Sequence, residues 1–173
     1  MPARQDLDGD LCAAALAGDA AGVAALLKGG AAASAATAKN GWSALHYAAT
    51  GSDEAAGCAI IAALARGGAD VDARCANRAT PCVRAAFKGR ARCLEALLRL
   101  GADPALANES GSTPLHAAAA KGHAACVELL LRRGVDASRR TRDGETALDR
   151  CRATRRGDHE AVRAALSRAE EAK

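Results

Sequence analysis

The feature that most constrains the fold of this chain is an internal repeat of 33 residues. Three similar segments, GADVDAR, GADPALA and GVDASRR, begin at Gly68, Gly101 and Gly134, so successive glycines lie 33 residues apart. A second marker precedes each of them and recurs once more near the C-terminus: SALHYAA from Ser43, TPCVRAA from Thr80, TPLHAAA from Thr113 and TALDRCR from Thr146. Two independent markers that keep one period predict a stack of similar units in place of a single central core.

Each unit has the pattern of two helices separated by a glycine. Thr113 is placed as an N-cap, and Pro114 follows at the first helical position, where its missing N–H is not needed. The first helix is short and rich in alanine, and Gly122 ends it. A second helix with large apolar residues follows and ends at Gly134, which suits the left-handed conformation beyond a helix terminus.

One unit carries the whole pattern: Thr113-Pro114-Leu115-His116, then Ala118-Ala119, Gly122-His123, Leu130-Leu131 and Gly134. This pattern resembles the ankyrin repeat, and the resemblance extends over residues 7–168. It implies an all-α solenoid of stacked helix-turn-helix units with β-hairpin-like turns. It also implies a non-catalytic protein–protein interaction module, such as a scaffold, adaptor or regulator, that binds its partner through the concave face and the turn tips.

The register of the repeat divides the chain into five units between two tails: an N-terminal tail 1–6, a capping repeat 7–38, full repeats 39–73, 74–107 and 108–140, a degenerate C-terminal repeat 141–168 and a C-terminal tail 169–173. Four extra residues fall between the helices of one repeat, within 50–56, and about three near 154–156. Where the family turn usually has glycine this chain has Arg78, so we expect a distorted hairpin there. Val83 and Asp149 replace the usual histidine.

The composition agrees with a stack of closely packed helices. Alanine contributes 49 of the 173 residues, and small side chains allow neighbouring backbones to approach. No apolar run is long enough for a transmembrane helix, and the N-terminus lacks the pattern of a signal peptide. The seven cysteines form no Cys-x-x-Cys pair. We therefore expect a protein of a reducing compartment, in the cytoplasm, the nucleus or both.

Residues capable of chemistry have structural explanations in this register. His46 and His116 belong to the Thr-Pro-Leu-His position, where the family uses the ring for hydrogen bonds within and between repeats. Most cysteines fall at inward helix positions and are expected to be buried, whereas Cys75 falls in a turn and is expected to be the most exposed thiol. Metal-ligand spacings, glycine-rich phosphate loops and a nucleophile elbow are absent from the sequence. We expect no catalysis, cofactor or bound metal.

The surface is therefore the candidate functional feature. In the ankyrin family the contact positions are the turn tips and the exposed side of the first helices. Transferred by register, the expected partner-binding residues are Lys39, Asn40, Trp42, Tyr47, Asn77, Arg84, Phe87, Lys88, Glu109, Ser112, Lys121, Arg142, Asp143 and Arg150. They include all three aromatic residues of the chain, and aromatic and arginine side chains are common interface anchors.

Charge is distributed unevenly along the chain. Residues 1–73 carry four basic and eight acidic side chains, whereas residues 74–173 carry twenty and twelve. The basic half could steer an acidic surface of a protein partner toward the C-terminal repeats. Nucleic-acid binding by these arginine-rich repeats is the alternative, although aromatic residues do not alternate with the basic ones and no known reader motif is present. We expect a monomer without membrane insertion.

Overall fold

Capping residues determine where the helices of this protein begin and end, as seen in a computed structural model that describes residues 4–152 and 159–171. Within these residues the chain forms helices and turns without a regular strand: α1 (Arg4–Ala17), α2 (Ala20–Lys28), α3 (Ala44–Ala48), α4 (Glu54–Arg66), α5 (Pro81–Lys88), α6 (Ala91–Arg99), α7 (Pro114–Lys121), α8 (Ala124–Arg132), α9 (Ala147–Arg152) and α10 (His159–Glu171). The predicted all-α class is confirmed.

The caps lie where the sequence predicts them. Thr80 precedes α5, and its hydroxyl oxygen accepts a hydrogen bond from the N–H of Val83 (3.3 Å). Gly89 and Gly122 end α5 and α7 in the left-handed conformation, with φ of 71° and 72°. Because L-residues avoid this conformation, glycine at these two positions separates the two helices of a pair within a very short connection.

The ten helices form two layers. Each unit contributes one helix pair, and the first helices α1, α3, α5, α7 and α9 contact one another in chain order. The second helices α2, α4, α6, α8 and α10 do the same in the other layer. The main contacts between the described helices join helices of one unit or of successive units, so each unit depends on its neighbours for its interior.

The turns between units form hairpin-shaped loops that pair with one another. In the second full repeat the N–H of Cys75 donates to the carbonyl of Ala79 (3.1 Å) and closes the loop. Neighbouring loops are joined tip to tip: the N–H of Glu109 donates to the Asn77 carbonyl (2.9 Å), and that of Arg142 to the Ser110 carbonyl (3.0 Å). The hairpin tips therefore form one continuous edge beside the first-helix layer.

One apolar core extends through the stack, from Leu11 to Leu166. Its members are mostly leucine, isoleucine, valine, cysteine and alanine, and the alanines of the first helices are buried, as at Ala85 and Ala118. Small side chains there bring the first helices close together, which explains the alanine content of the sequence.

The extra residues predicted within 50–56 lengthen the second helix of their repeat. Helix α4 has 13 residues, whereas α6 and α8 have nine. Its first residue, Glu54, reaches the next repeat, where its Oε2 accepts a hydrogen bond from the N–H of Arg92 at the start of α6 (2.8 Å). Because Arg90, the N-cap of α6, gives no side-chain hydrogen bond, the insertion supplies the missing cap.

Three expectations from the sequence concern the ends of the stack and one turn, and the structure can be compared with two of them. Helix α1 begins at Arg4 and α10 ends at Glu171, so both extend into the ranges expected to be tails. The hairpin at Arg78 is not distorted, because Arg78 adopts the left-handed conformation itself (φ 60°). The insertion expected near 154–156 lies outside the described residues. None of the described helices is long and apolar enough to cross a membrane.

Candidate partner-binding groove

A depression of about 300 Å³ lies between the hairpin tips and the exposed side of α5 and α7. We call this depression the groove. Two hairpins and the first helices of three successive units form its walls, and few of the side chains that line it are large. The lining residues are Asn77, Ala79, Val83, Arg84, Phe87, Asn108, Ser110, Ser112, Ala117, Ala120, Lys121 and Arg150. The groove is open because small alanine side chains line this side of the first helix α7.

A row of aromatic rings and cations runs along the groove and into the preceding repeat. The rings of Tyr47 and Trp42 lie 5.1 Å apart between centroids. The guanidinium carbon of Arg84 lies 4.1 Å from the centroid of Trp42 and 5.6 Å from that of Phe87. The ammonium nitrogen of Lys121 lies 4.6 Å from the Phe87 centroid. These are cation–π distances, so the rings hold both cations in place.

Arg84 is the central member of this row. Its side chain is half-buried, and burial lowers the pKa of its guanidinium group from the ordinary value. Its buried Nε makes no hydrogen bond, and none of its nitrogens forms an ion pair with a described carboxylate. The aromatic faces thus stabilise a positive charge that has no anion among the described residues.

The polar groups of the groove present hydrogen-bond donors. The Oδ1 of Asn77 accepts from the Cys75 thiol (2.9 Å) and from the N–H of Ala79 (3.2 Å). The Oδ1 of Asn108 accepts three bonds within its own loop. Because each amide oxygen is already used to shape a hairpin, each side chain has its NH₂ group left to offer a ligand.

A second, wider depression of about 520 Å³ lies along the hairpin tips. It combines both signs of charge and shares part of its wall with the groove: Asn77, Asn108, Glu109, Ser110, Arg142 and Asp143. The two depressions together follow the edge that the paired hairpins form.

A comparison with protein-family models supports this architecture. The model of ankyrin repeats (3 copies) matches residues 11–108 and 83–172, which together cover most of the chain. The chain belongs to the ankyrin repeat family. Ankyrin repeats are in general protein–protein interaction modules and are typically not enzymes. No curated protein matches the chain.

Most of the partner-binding residues predicted by the ankyrin register lie at these two depressions. Six line the groove (Asn77, Arg84, Phe87, Ser112, Lys121 and Arg150), and Glu109, Arg142 and Asp143 line the tip depression with Asn77. Lys39, Asn40, Trp42 and Tyr47 belong to the preceding repeat, whose rings continue the row. Lys88 is exposed and lines neither depression, and Ser112 is only 6% exposed.

The register did not single out Asn108, Ala117 or Ala120, which also line the groove. Asn108 shapes its hairpin from within, and its sequence position resembles that of a purely structural turn residue. The two alanines form the floor because they are small. Their position on α7, one helical turn apart, is the only sequence signal that could have placed both on the side of this helix that faces the groove.

The two ankyrin-motif histidines are structural. In His46, Nδ1 accepts from the N–H of Ser43 (3.2 Å), and Nε2 lies 3.0 Å from the carbonyl of Ala79 in the next hairpin. His116 makes the same kind of link, with its Nε2 3.0 Å from the Arg139 carbonyl. Burial lowers the pKa of both rings. Each neutral ring therefore joins one repeat to the next.

The residues that replace these histidines behave differently from each other. Asp149 keeps half of the arrangement, since its Oδ2 accepts from both the N–H (3.0 Å) and the hydroxyl (2.9 Å) of Thr146. The hydrogen bond from that backbone N–H is the main cause that lowers the pKa of the Asp149 carboxyl. Val83 offers no polar group, so it leaves the inter-repeat link unmade and lines the groove instead.

All seven cysteines are free thiols, and six of them are buried in the repeat core. Burial raises the pKa of Cys82, Cys93 and Cys126 to about 12, which keeps these thiols protonated. The expectation of an exposed Cys75 is wrong: the residue is 6% exposed, because its thiol turns under the hairpin toward Asn77. Cys58, beside the insertion, is the one that lies partly exposed. No cluster of possible metal ligands occurs among the described residues.

Proposed function

We propose that this ankyrin repeat protein binds a partner protein through the groove and the adjoining hairpin tips, as a scaffold, adaptor or regulator without catalytic activity of its own. The observation that carries the proposal is the position of its three aromatic rings. Trp42, Tyr47 and Phe87 form one row beside the groove, whereas the apolar interior is built from alanine, cysteine and branched aliphatic residues. Partly exposed aromatic and arginine side chains in one patch are typical of binding hot spots.

The exposure of Phe87 supports this assignment. The residue is 37% exposed in a helix whose other apolar side chains are buried. An exposed ring costs solvation free energy unless another surface covers it. Covering by a partner protein would remove both this ring and the stacked Arg84 from water together.

Nucleic-acid binding by the arginine-rich C-terminal repeats has weaker support. Several of those arginines are engaged within the chain. The Arg139 guanidinium donates to the carbonyl of Ala105 (2.7 Å), and that of Arg150 pairs with Glu145 (3.6 Å). A phosphate backbone would have to replace these contacts, and its binding would weaken steeply with added salt.

The experiment is capture of binding partners from native extract by the immobilised full chain, with identification by mass spectrometry. The Trp42→Ala/Phe87→Ala double variant should lose the proteins that the unmodified chain retains. A matched control is Leu16→Ala/Leu100→Ala, which removes two large apolar side chains that are 59% and 43% exposed outside the groove. This control should retain the same proteins.

Circular dichroism and thermal melting of both double variants verify that the repeat stack is intact. If both variants capture the same proteins as the unmodified chain, the groove is not the binding surface. If capture disappears on nuclease treatment of the extract, the retained species are held by nucleic acid, and the alternative replaces the proposal.

A further inference from the structure

The charge on the walls of the groove is of one sign. Three cations line it, Arg84, Lys121 and Arg150, and the lining contains no aspartate or glutamate. Arg150 lies 3.6 Å from the Glu145 carboxylate. The groove therefore contains two cations, Arg84 and Lys121, that form no ion pair with a described carboxylate.

The N–H donors of Arg84 have no acceptor among the described residues, and its Nε is buried. A guanidinium group that stacks on rings uses its faces, whereas its N–H donors lie in its plane. The guanidinium carbon of Arg84 lies over the rings of Trp42 and Phe87, and no described residue accepts a hydrogen bond from this side chain. Partial burial makes an unpaired charge costly, so an incoming anion gains more here than at an exposed arginine.

The donors around Arg84 fit a peptide. The free NH₂ groups of Asn77 and Asn108 line the same groove and can donate to backbone carbonyls of an extended segment. A planar carboxylate matches the fork of donors on a guanidinium group. The volume of about 300 Å³ lies at the lower end of the range for ligand pockets, so it accommodates a few side chains of a linear segment.

The same geometry disfavours nucleic acid in the groove. Proteins that bind single strands stack bases on exposed aromatic faces and follow the phosphates with a series of cations. Here Arg84 covers a face of Trp42, and both Arg84 and Lys121 lie over Phe87. The rings are used to hold cations, and the two unpaired cations are clustered at one ring.

We infer that the groove is a carboxylate-binding subsite, in which Arg84, supported by Lys121, receives an aspartate or glutamate side chain from an acidic linear segment of the partner protein. This inference rests on the proposed function and names the chemistry of the partner at that site. Because the Nε of Arg84 is buried, the carboxylate pairs with the terminal NH₂ groups of the guanidinium group, and the flanking peptide carbonyls accept from Asn77 and Asn108.

The test is a titration of the ¹⁵N-labelled full chain with peptides, followed by NMR. The probe is an end-capped eight-residue peptide of alternating glutamate and glycine, and its matched control has glutamine in place of each glutamate. The glutamate peptide should shift the Trp42 indole N–H and the Arg84 Nε–H signals, and the glutamine peptide should not. Equal shifts with both peptides, or none at millimolar concentration, would overturn the inference.

Substitutions locate the site on the protein. Arg84→Met keeps the aliphatic stem and should weaken glutamate-peptide binding at least tenfold, and the exposed Lys121→Met should weaken it several-fold. Arg132→Met, an exposed arginine on α8 in the other layer, is the matched control and should leave the affinity unchanged. If Arg84→Met loses its fold, Lys121→Met still decides, and an unchanged affinity for Lys121→Met contradicts the two-cation site.

Two further outcomes separate this inference from the proposed function. If the Trp42→Ala/Phe87→Ala variant loses its captured proteins while Arg84→Met and Lys121→Met retain them, the groove binds proteins by apolar contact, and the carboxylate subsite is refuted alone. A 12-nucleotide single strand that shifts the Trp42 and Arg84 signals at lower concentration than the glutamate peptide would assign the groove to nucleic acid, and would refute both.

Discussion

Arg78 occupies a backbone conformation that the equivalent hairpins give to glycine. Its φ of 60° matches those of Gly41 (65°), Gly111 (77°) and Gly144 (78°) at the same place in their loops. An L-residue in this conformation carries a steric cost of about 1–2 kcal/mol. The hairpin keeps its shape because its backbone hydrogen bonds and its neighbours impose that shape on whichever residue is present.

Arg78→Gly should therefore stabilise the protein. We expect the free energy of unfolding to rise by about 0.5–1 kcal/mol, since part of the relief is offset by the greater freedom of glycine in the unfolded chain. Chemical denaturation measures the change. Arg78→Ala is the matched control, because it removes the same exposed side chain but keeps the Cβ atom, and it should give no gain. Equal gains for both variants would show that the arginine side chain, and not the backbone conformation, is unfavourable.

The buried histidines predict a pH dependence of stability. Burial lowers the pKa of His46 and His116 below the ordinary 6.5, so the unfolded chain takes up protons at a pH where the folded chain does not. Their contribution is complete above about pH 6.5 and is lost as the pH falls below it. Between pH 7.5 and 5.5 we expect a loss of at most about 1.4 kcal/mol for each ring.

Denaturant unfolding at the two pH values tests this expectation. A His46→Gln/His116→Gln variant should be less stable at pH 7.5, because the links between repeats are lost, and should change less between pH 7.5 and 5.5. An undiminished pH dependence in that variant would assign the effect to other groups, such as His123, whose pKa burial also lowers.

At single positions, the sequence correctly predicts those features that depend on local backbone preferences. The caps at Thr80 and Gly89 follow from preferences of one residue type for one conformation, and both are correct. The exposure of Cys75 could not be predicted in this way, because a turn position does not determine whether a side chain points outward or under the hairpin. Contact between Arg84 and Trp42 joins residues 42 positions apart, and only the stacked register brings them together.

Among the elements, the hairpins depend on close approach between neighbours. A Cβ atom at Gly111 would lie 2.9 Å from the backbone nitrogen of Arg142 in the next hairpin, whereas one at Gly144 would meet nothing within 4 Å. Gly111→Ala and Gly144→Ala thus share the same backbone strain and differ in this contact. We expect losses of about 2 and about 1 kcal/mol in the free energy of unfolding. Equal losses would show that the tip-to-tip contact adjusts freely.

The extended helix α4 has a testable role as a cap for α6. Glu54→Ala removes the acceptor from the Arg92 N–H and should lower the free energy of unfolding by about 1 kcal/mol. Glu54→Gln keeps an amide oxygen at that place and should cost less, which separates the hydrogen bond from the charge effect at the helix N-terminus. Denaturant melts measure both, and no loss for the alanine variant would mean that water replaces the cap fully.

The insertion also shows where element-level prediction stops. The register locates four additional residues within 50–56, but their number does not say whether they form a loop or a helix. Asp53 decides this locally, because its side chain accepts from the N–H groups of Ala55 and Ala56 and starts α4 at Glu54. The partner of Glu54 lies 38 residues onward, in the next repeat, and so is not visible in local sequence.

For the whole molecule, the period of 33 residues is sufficient to predict the stack, because it requires each unit to bury its apolar side against the next. The period does not predict the row of aromatic rings or the groove whose charged residues are all basic. They depend on which residues occupy the few positions that the stack leaves exposed. Fold and candidate site are thus specified by different subsets of the sequence, the fold by the repeated positions and the site by the variable ones.

A one-dimensional stack should open from its ends. The terminal units have one neighbour each, so the free energy of opening measured by amide exchange should be lower in α1, α2, α9 and α10 than in α5 to α8.

Leu97→Ala removes a fully buried side chain from α6. It should lower the free energy of opening of the central helices by about 2–5 kcal/mol, while that of the terminal helices stays unchanged. Leu11→Ala, equally buried in α1, should affect the N-terminal unit first. Native-state hydrogen exchange measures each helix separately. A uniform loss of protection in every helix for both variants would mean that the chain unfolds as one cooperative unit, and that coupling between repeats exceeds the intrinsic differences among them.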